Sequence, residues 1–308
     1  MKVNMNIGFF KGIYKDDIIF HYTKSTTAID YILYNNELKF GRGSQSNDPI
    51  ESNPAERCNV YHSLGKQKSK SHPYEVDELH EFVEDLEMRF HQISFCKNSM
   101  GEEFESKYCH TQFEGHEELF GFAKPRMWDQ YADRFTGVCL AFSKNKILTL
   151  NDLKLDLIDD YMEYLTFQQL REKKVGNIQG DFLLKVGKLE YKTKLEEQIK
   201  KSFFYKHQDY SGENEYRIGT LYDKYKCSVD KVRGKLIFDE SMMLDITNCI
   251  EAIFVSNYAN NRQKCDLLVY AKALNVPLVE INWLYNSIEC GNYIEQLNLL
   301  SLIEESSL

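Results

Sequence analysis

Two short runs constrain this chain more than anything else in it. Gly137-Val-Cys-Leu-Ala-Phe142 and Cys249-Ile-Glu-Ala-Ile-Phe-Val255 are almost unbroken apolar segments of strand length. A strand that is apolar at successive positions needs cover on both faces. The chain is therefore expected to build a sheet with packed layers on either side. A third run is of another kind. After the turn pair Ser211-Gly212, residues 213–218 read Glu-Asn-Glu-Tyr-Arg-Ile. Strand periodicity puts Asn214, Tyr216 and Ile218 on one face and Glu213, Glu215 and Arg217 on the other. Carboxylates two residues apart on a strand sit roughly 7 Å from each other, near enough to grip one ligand. Two readings of that charged face stand open: a solvated surface with an internal ion pair, or the floor of an active site.

Around these runs the expected elements alternate without a regular repeat. Asp17–Tyr22 reads as a strand ending in His21-Tyr22-Thr23. A helix follows, capped by Ser25 or Thr26, with Ala28, Ile29, Ile32 and Leu33 as its apolar stripe, and ends at Asn35-Asn36. Leu38–Phe40 is a short strand, and residues 41–51 form a polar loop with the turn Asn47-Asp48-Pro49. Pro73 opens a helix carrying Val76, Leu79, Val83, Leu86 and Phe90. Gln92–Lys97 is a strand, and Pro125–Phe135 holds a short helix with Met127, Trp128, Tyr131 and Ala132 at helical spacing. Residues 151–174 read as helical, 182–191 as a strand, 195–205 and 262–274 as helices and 276–281 as a strand. This mixture predicts an α+β fold rather than a doubly wound one. The expected division is an N-terminal extension (1–16), one elaborated domain (17–285) and a helical tail (286–308).

Composition narrows the chemistry. Among 308 residues, 47 Asp and Glu outweigh 38 Lys and Arg, giving a net charge of −9. That balance argues against tracking a long phosphate backbone but leaves room for a single nucleotide. The N-terminus lacks the apolar core of a signal peptide, and no run approaches the ~20 apolar residues that span a bilayer. A cytoplasmic protein without a membrane partner is expected. The 8 cysteines include no CxxC pair and read as reduced, mostly buried thiols. Cys96, Cys109, His110 and His116 cluster in sequence but fit no zinc spacing, so no metal is expected. Gly41-Arg-Gly43 lacks the spacing of a phosphate-binding glycine loop.

Several pieces, taken in order, are similar to a bacterial family of unknown function, domain-of-unknown-function family 2971. They are Phe20-His21-Tyr22-Thr23 with its Ile-Leu helix; Asn47-Asp48-Pro49 with Glu51; Ile93–Cys96; Met127-Trp128-Asp129-Gln130-Tyr131-Ala132-Asp133 with Gly137-Val138-Cys139; Lys206 with Glu213–Arg217; and a late Ile-Phe-Val strand. The family usually carries His where Gln130 stands and Trp near Tyr210.

More distantly, the histidine-led opening and the late Glu213-x-Glu215 resemble ADP-ribosyltransferases. That resemblance implies a mixed, split β-sheet core with peripheral helices and NAD as substrate. It implies Glu215 and Glu213 as catalytic carboxylates and His21 and Thr23 as NAD contacts; Tyr22, Arg42, Tyr131 and Arg217 complete the expected NAD-binding set. Asn47, Asp48, Trp128 and Lys206 are further cleft candidates. No Ser-Thr-Ser strand is present, so Tyr131 or Tyr22 would stack on nicotinamide. The implied activity is cleavage of the nicotinamide bond with transfer of ADP-ribose to an unknown acceptor, protein or nucleic acid, as in a bacterial toxin or phage-defence effector. The rival expectation is a non-enzymatic or nucleic-acid-handling module of a defence or regulatory system, whose cleft of Arg42, Asp48, Trp128, Lys206, Glu215 and Arg217 would bind a nucleotide signal or a partner.

Overall fold

The computed structural model describes residues 12–43, 73–99, 117–173, 187–222 and 242–293. Its centre is a mixed sheet with the strand order β13-β12-β11-β5-β1-β4-β9-β6. These strands are β1 (Ile18–Thr23), β4 (Phe90–Lys97), β5 (Val138–Ser143), β6 (Leu157–Tyr161), β9 (Glu215–Leu221), β11 (Ile250–Ser256), β12 (Leu278–Trp283) and β13 (Ile288–Asn292). The two-residue β3 (Gly41–Arg42) pairs with β4, while β2 (Glu37–Lys39) and β10 (Met243–Asp245) form a separate antiparallel pair. Every pairing in this sheet is antiparallel except β11 with β12, which a helix over Asn261–Leu274 connects as a βαβ unit. The fold is thus α+β, as expected.

Register sorts the side chains. Phe20 lies opposite Ala141 on one side and Cys96 on the other, and Cys96 lies opposite Glu215. Partners in a ladder share a face, so this row fixes one surface of the sheet. There Phe20, Tyr22, Cys139, Ala141 and Phe254 pack with Phe122 and Trp128. The other surface carries Ile19, Ile93, Phe95, Leu140, Phe142, Tyr216 and Ile218 against Ile32, Leu33, Leu244 and Leu267. A third cluster joins the helices Pro73–Arg89 and Lys188–Ser202 through Leu79, Val83, Leu86, Leu195 and Ile199. Phe90 stacks on Phe203 beside it, with ring centroids 3.7 Å apart.

Between β1 and β4 the ladder is two pairs long, Ile19 with Lys97 and Phe20 with Cys96. At the next position the His21 ring takes over from the backbone, its Nδ1 standing 3.1 Å from the Ser94 carbonyl. A polar cavity lies beside this fork.

Several expectations need correction. Residues 151–174 are not one helical stretch: they hold β6, then β7 (Glu163–Leu165), and only then the helix Phe167–Glu172. Pairing along the free edge of β9 decides the conformation of β6, and Asp159 and Asp160 are the charges that blunt an edge strand. The strand expected over 182–191 is, from Lys188 onward, the first turn of a helix, because Tyr191, Leu195 and Ile199 share one buried stripe. The tail expected to be helical over 286–308 instead carries β13 from Ile288, folded back onto β12 by a turn in which the Leu284 amide donates to the Ser287 carbonyl. Neither Ser25 nor Thr26 caps the helix after β1. Lys24 holds that position, the segment continues as a π-helix over Ala28–Leu33, and the Ser25 hydroxyl donates to Thr136.

Candidate functional site

Three elements converge at the fork. The first is the start of β9. Asn214 adopts a left-handed conformation (φ 46°), and its amide donates to the carbonyls of Lys97 and Asn98 at 3.0 and 2.9 Å. This anchor corrects the simple strand reading, because Glu213 belongs to the 3-10 turn Gln208–Glu213 and the strand begins at Glu215. The second is β8 (Tyr205–His207), which pairs in parallel with β7 and delivers Lys206. The third is the short helix Pro125–Gln130. After it, Asp133, Arg134 and Phe135 all take positive φ, and Gly137 then passes so close to β1 that a Cβ there would sit 2.4 Å from the Thr23 carbonyl oxygen. That close approach holds Met127, Gln130 and Tyr131 beside β1.

The charged side chains form one connected group. Lys206 Nζ donates to Glu213 Oε2 at 2.7 Å and to Glu215 Oε2 at 3.0 Å. Arg217 engages Glu215 Oε1 through Nε at 2.8 Å and Nη2 at 2.7 Å, and its Nη1 donates to the Phe203 carbonyl. The Glu215 amide donates to the Tyr164 hydroxyl at 2.8 Å. Glu213, Glu215 and Arg217 are only 3%, 4% and 1% exposed, so the solvated-face reading of this strand is overturned. Burying charges is tolerated here because two carboxylates meet two cations at hydrogen-bond distance.

A cavity of about 690 Å³ opens onto this group. His21, Tyr22, Arg42, Tyr131, Lys206, Glu213 and Glu215 line it, joined by Lys39, Gln130 and Tyr210. Of the sequence candidates, seven therefore meet at one place. Arg217 stands behind Glu215. Thr23 is buried in β1, and Trp128 belongs to the core, its indole N–H donating to the Phe122 carbonyl at 2.7 Å. Asn47 and Asp48 lie outside the described residues. His21 and Glu215 reach the cavity from opposite faces of the sheet, since Phe20 shares a face with Cys96 and Glu215 and His21 is the next residue along.

The electrostatics assign capacities. Tyr131, 41% exposed, donates its hydroxyl to Glu213 Oε1 at 3.0 Å. Burial and then the Glu213 charge raise its pKa, so it stays protonated. Burial lowers the pKa of His21, only partly offset by its Ser94 bond. The ring is therefore neutral at pH 7, with Nδ1 donating to the carbonyl. The Cys96 thiol, at the cavity wall, is pushed up to about 12 by burial and is no nucleophile. Tyr22 gives its hydroxyl to the Gly121 carbonyl at 2.6 Å and packs edge-on to Trp128; it is a structural residue at the margin of the cavity. Sequence reasoning missed Lys39, Tyr210 and Tyr164. Lys39 follows an apolar strand position and signals nothing alone, and Tyr164 sits in the stretch misread as helix.

Among the described residues Cys96, Cys139, Cys249, Cys265 and Cys290 are all free thiols, and only Cys265 is exposed. No group of three metal-ligating side chains occurs among them, and Cys109, His110 and His116 lie outside the description. No helix of the described residues is long and apolar enough to cross a membrane.

Fold and site together define an α+β protein whose polar cavity is walled by a buried, charge-balanced cluster. Residues 127–218, which carry the Met127–Asp133 motif, Lys206 and Glu213–Arg217, match the family described as "Protein of unknown function (DUF2971)". The resemblance to that family is shown over this stretch. No curated protein and no solved structure matches the chain, so the likeness to ADP-ribosyltransferases has no structural neighbour behind it.

Proposed function

We propose that the cavity binds a nucleotide with a ribose against Glu213 and Glu215, and that the nucleotide it acts on is NAD. One observation carries the reading. Two carboxylates set side by side by a single ammonium form the wall of a cavity also lined by His21 and Arg42. Its volume falls in the range of about 300–1,000 Å³ that small-molecule sites occupy. Vicinal hydroxyls suit adjacent carboxylate acceptors, and Lys39 and Arg42 bring positive charge for a diphosphate.

The reaction this serves is cleavage of the nicotinamide–ribose bond. The C1′–N bond breaks, its electron pair leaves with nicotinamide, and positive charge passes to the ribose ring. An acceptor hydroxyl or amine, or water, then bonds to C1′ and loses its proton to solvent. Glu215 is the carboxylate that stabilises the developing cation, and Arg217 and Lys206 fix its position. Purified protein is expected to release nicotinamide from NAD when supplied with candidate protein and nucleic-acid acceptors. Glu215→Gln should slow that release by two to four powers of ten, about 3–5 kcal/mol. A specific observation favours a second reading, nucleotide sensing without turnover: both Glu215 oxygens are already engaged by cations. A thermal shift with NAD but no nicotinamide release under any acceptor condition would select it.

A further inference from the structure

We infer that the Tyr131 hydroxyl competes with a ligand hydroxyl for Glu213, so that Tyr131 sets selectivity by giving way rather than by binding. The inference rests on the nucleotide reading above and goes one step further into the same site.

The argument is one of layers. Glu213 is 3% exposed and Tyr131 41%, while both line the cavity. The phenol is therefore the outer layer, and the carboxylate it touches lies behind it. Glu213 cannot retreat, because the Asn214 side-chain amide pins the adjacent backbone by donating two hydrogen bonds, to the Lys97 and Asn98 carbonyls, and Lys206 holds Oε2. Oε1, the oxygen that Tyr131 covers, is the remaining place for a ligand hydroxyl. Tyr131 is placed to move: it is the C-cap residue of the helix Pro125–Gln130, and at 41% exposure its side chain already reaches solvent, into which it can turn by changing rotamer. A ligand hydroxyl and the phenol offer the same bond, an O–H donor to a carboxylate, so their exchange conserves hydrogen bonds. A ligand group without a donor would leave Glu213 without its replacement, which makes the exchange selective for hydroxyl-bearing ligands.

Isothermal titration separates this from the opposite possibility, a Tyr131 that holds the ligand directly. NAD is titrated into the wild type, Tyr131→Phe and Tyr131→Ala, alongside an NAD analogue lacking the 2′-hydroxyl of the nicotinamide ribose. Displacement predicts that Tyr131→Phe tightens NAD about tenfold, because the phenol–carboxylate bond no longer has to be broken. Tyr131→Ala should tighten it at least as much, and the analogue should gain less than NAD in both variants. As a second measurement, 3-fluorotyrosine at position 131 should change its ¹⁹F shift on saturation with NAD. If the wild type binds NAD and Tyr131→Phe binds it equally or more weakly, the displacement inference is overturned while the nucleotide reading stands. If none of the three proteins binds NAD, both fall together.

Discussion

Strands β5 and β9 are both buried and paired on both sides in the same sheet, yet they are built from opposite materials. β5 reads Val-Cys-Leu-Ala-Phe-Ser with every residue buried. β9 reads Glu-Tyr-Arg-Ile-Gly-Thr-Leu, buried along its first six positions. β5 needs nothing but neighbours: Leu140 and Phe142 pack on one face and Cys139 and Ala141 on the other. β9 buries Glu215 and Arg217 only because each finds the other and Lys206 completes the set. An apolar strand is stabilised by the solvent it excludes. A charged one is stabilised by pairing and is destabilised as soon as one partner goes. Next to the cavity, β9 thus gives up the easy stability that β5 has and depends on partners supplied by other elements.

Breaking the charged strand should produce the largest effect. Arg217→Ala leaves Glu215 Oε1 without its two guanidinium bonds and the Phe203 carbonyl without its donor. An uncompensated buried charge costs about 3–5 kcal/mol, a loss visible as a lower denaturation midpoint in urea. A cost below 1 kcal/mol would mean that water reaches the cluster and that the strand is not buried as described.

The apolar strand should break less severely. Leu140 is fully buried and lies opposite His21 on β1 and Ile253 on β11. Leu140→Ala removes its side chain into a cavity at a cost of about 3 kcal/mol. Because Arg217 and Leu140 are both buried, salt should change neither deficit much. A strong salt dependence of the Arg217→Ala deficit would show that water reaches the charged strand.

The sequence showed these two strands unequally, and the reason is physical. Val138–Phe142 was legible because uniform apolarity admits one environment. For Glu213–Arg217 the alternation was visible, but whether its charges faced water or protein was not. The deciding partner, Lys206, enters from β8, and the backbone that positions Glu215 is held by Tyr164 from β7. The Lys206 contact crosses a turn that strand periodicity does not describe, the Tyr164 contact spans 51 residues, and the stretch containing Tyr164 has a mixed pattern that pairing with β9, not periodicity, resolves into strands. His21, Arg42, Tyr131, Lys206, Glu213 and Glu215 were singled out mainly through the family resemblances and reach one cavity. Trp128, chosen by the same criterion, went to the core, because an indole within a helical apolar stripe is core material first. That Glu213 lies in a turn was hidden in the Ser211-Gly212 signal, which marks a turn without saying where it ends.

The smallest effect concerns the fork between the two halves of the sheet, where His21 extends a two-pair ladder with its own ring. Burial lowers the pKa of His21 and, at β4, of His91. A histidine with a depressed folded-state pKa contributes stability that is complete above its unfolded pKa of about 6.5. That stability is lost as pH falls from there through the folded value, because the unfolded chain then takes up the proton more readily. The wild type should therefore lose stability between pH 7.5 and pH 5. His21→Gln keeps an N–H that can reach the Ser94 carbonyl but cannot titrate, so it should lose less over the same interval. Carboxylates titrating near pH 5 affect both proteins alike and cancel in the difference between them. Urea denaturation at the two pH values checks the point. Parallel losses in wild type and His21→Gln would show that the imidazole at the fork is solvated, and that the ladder there is held by Phe20 and Cys96 without it.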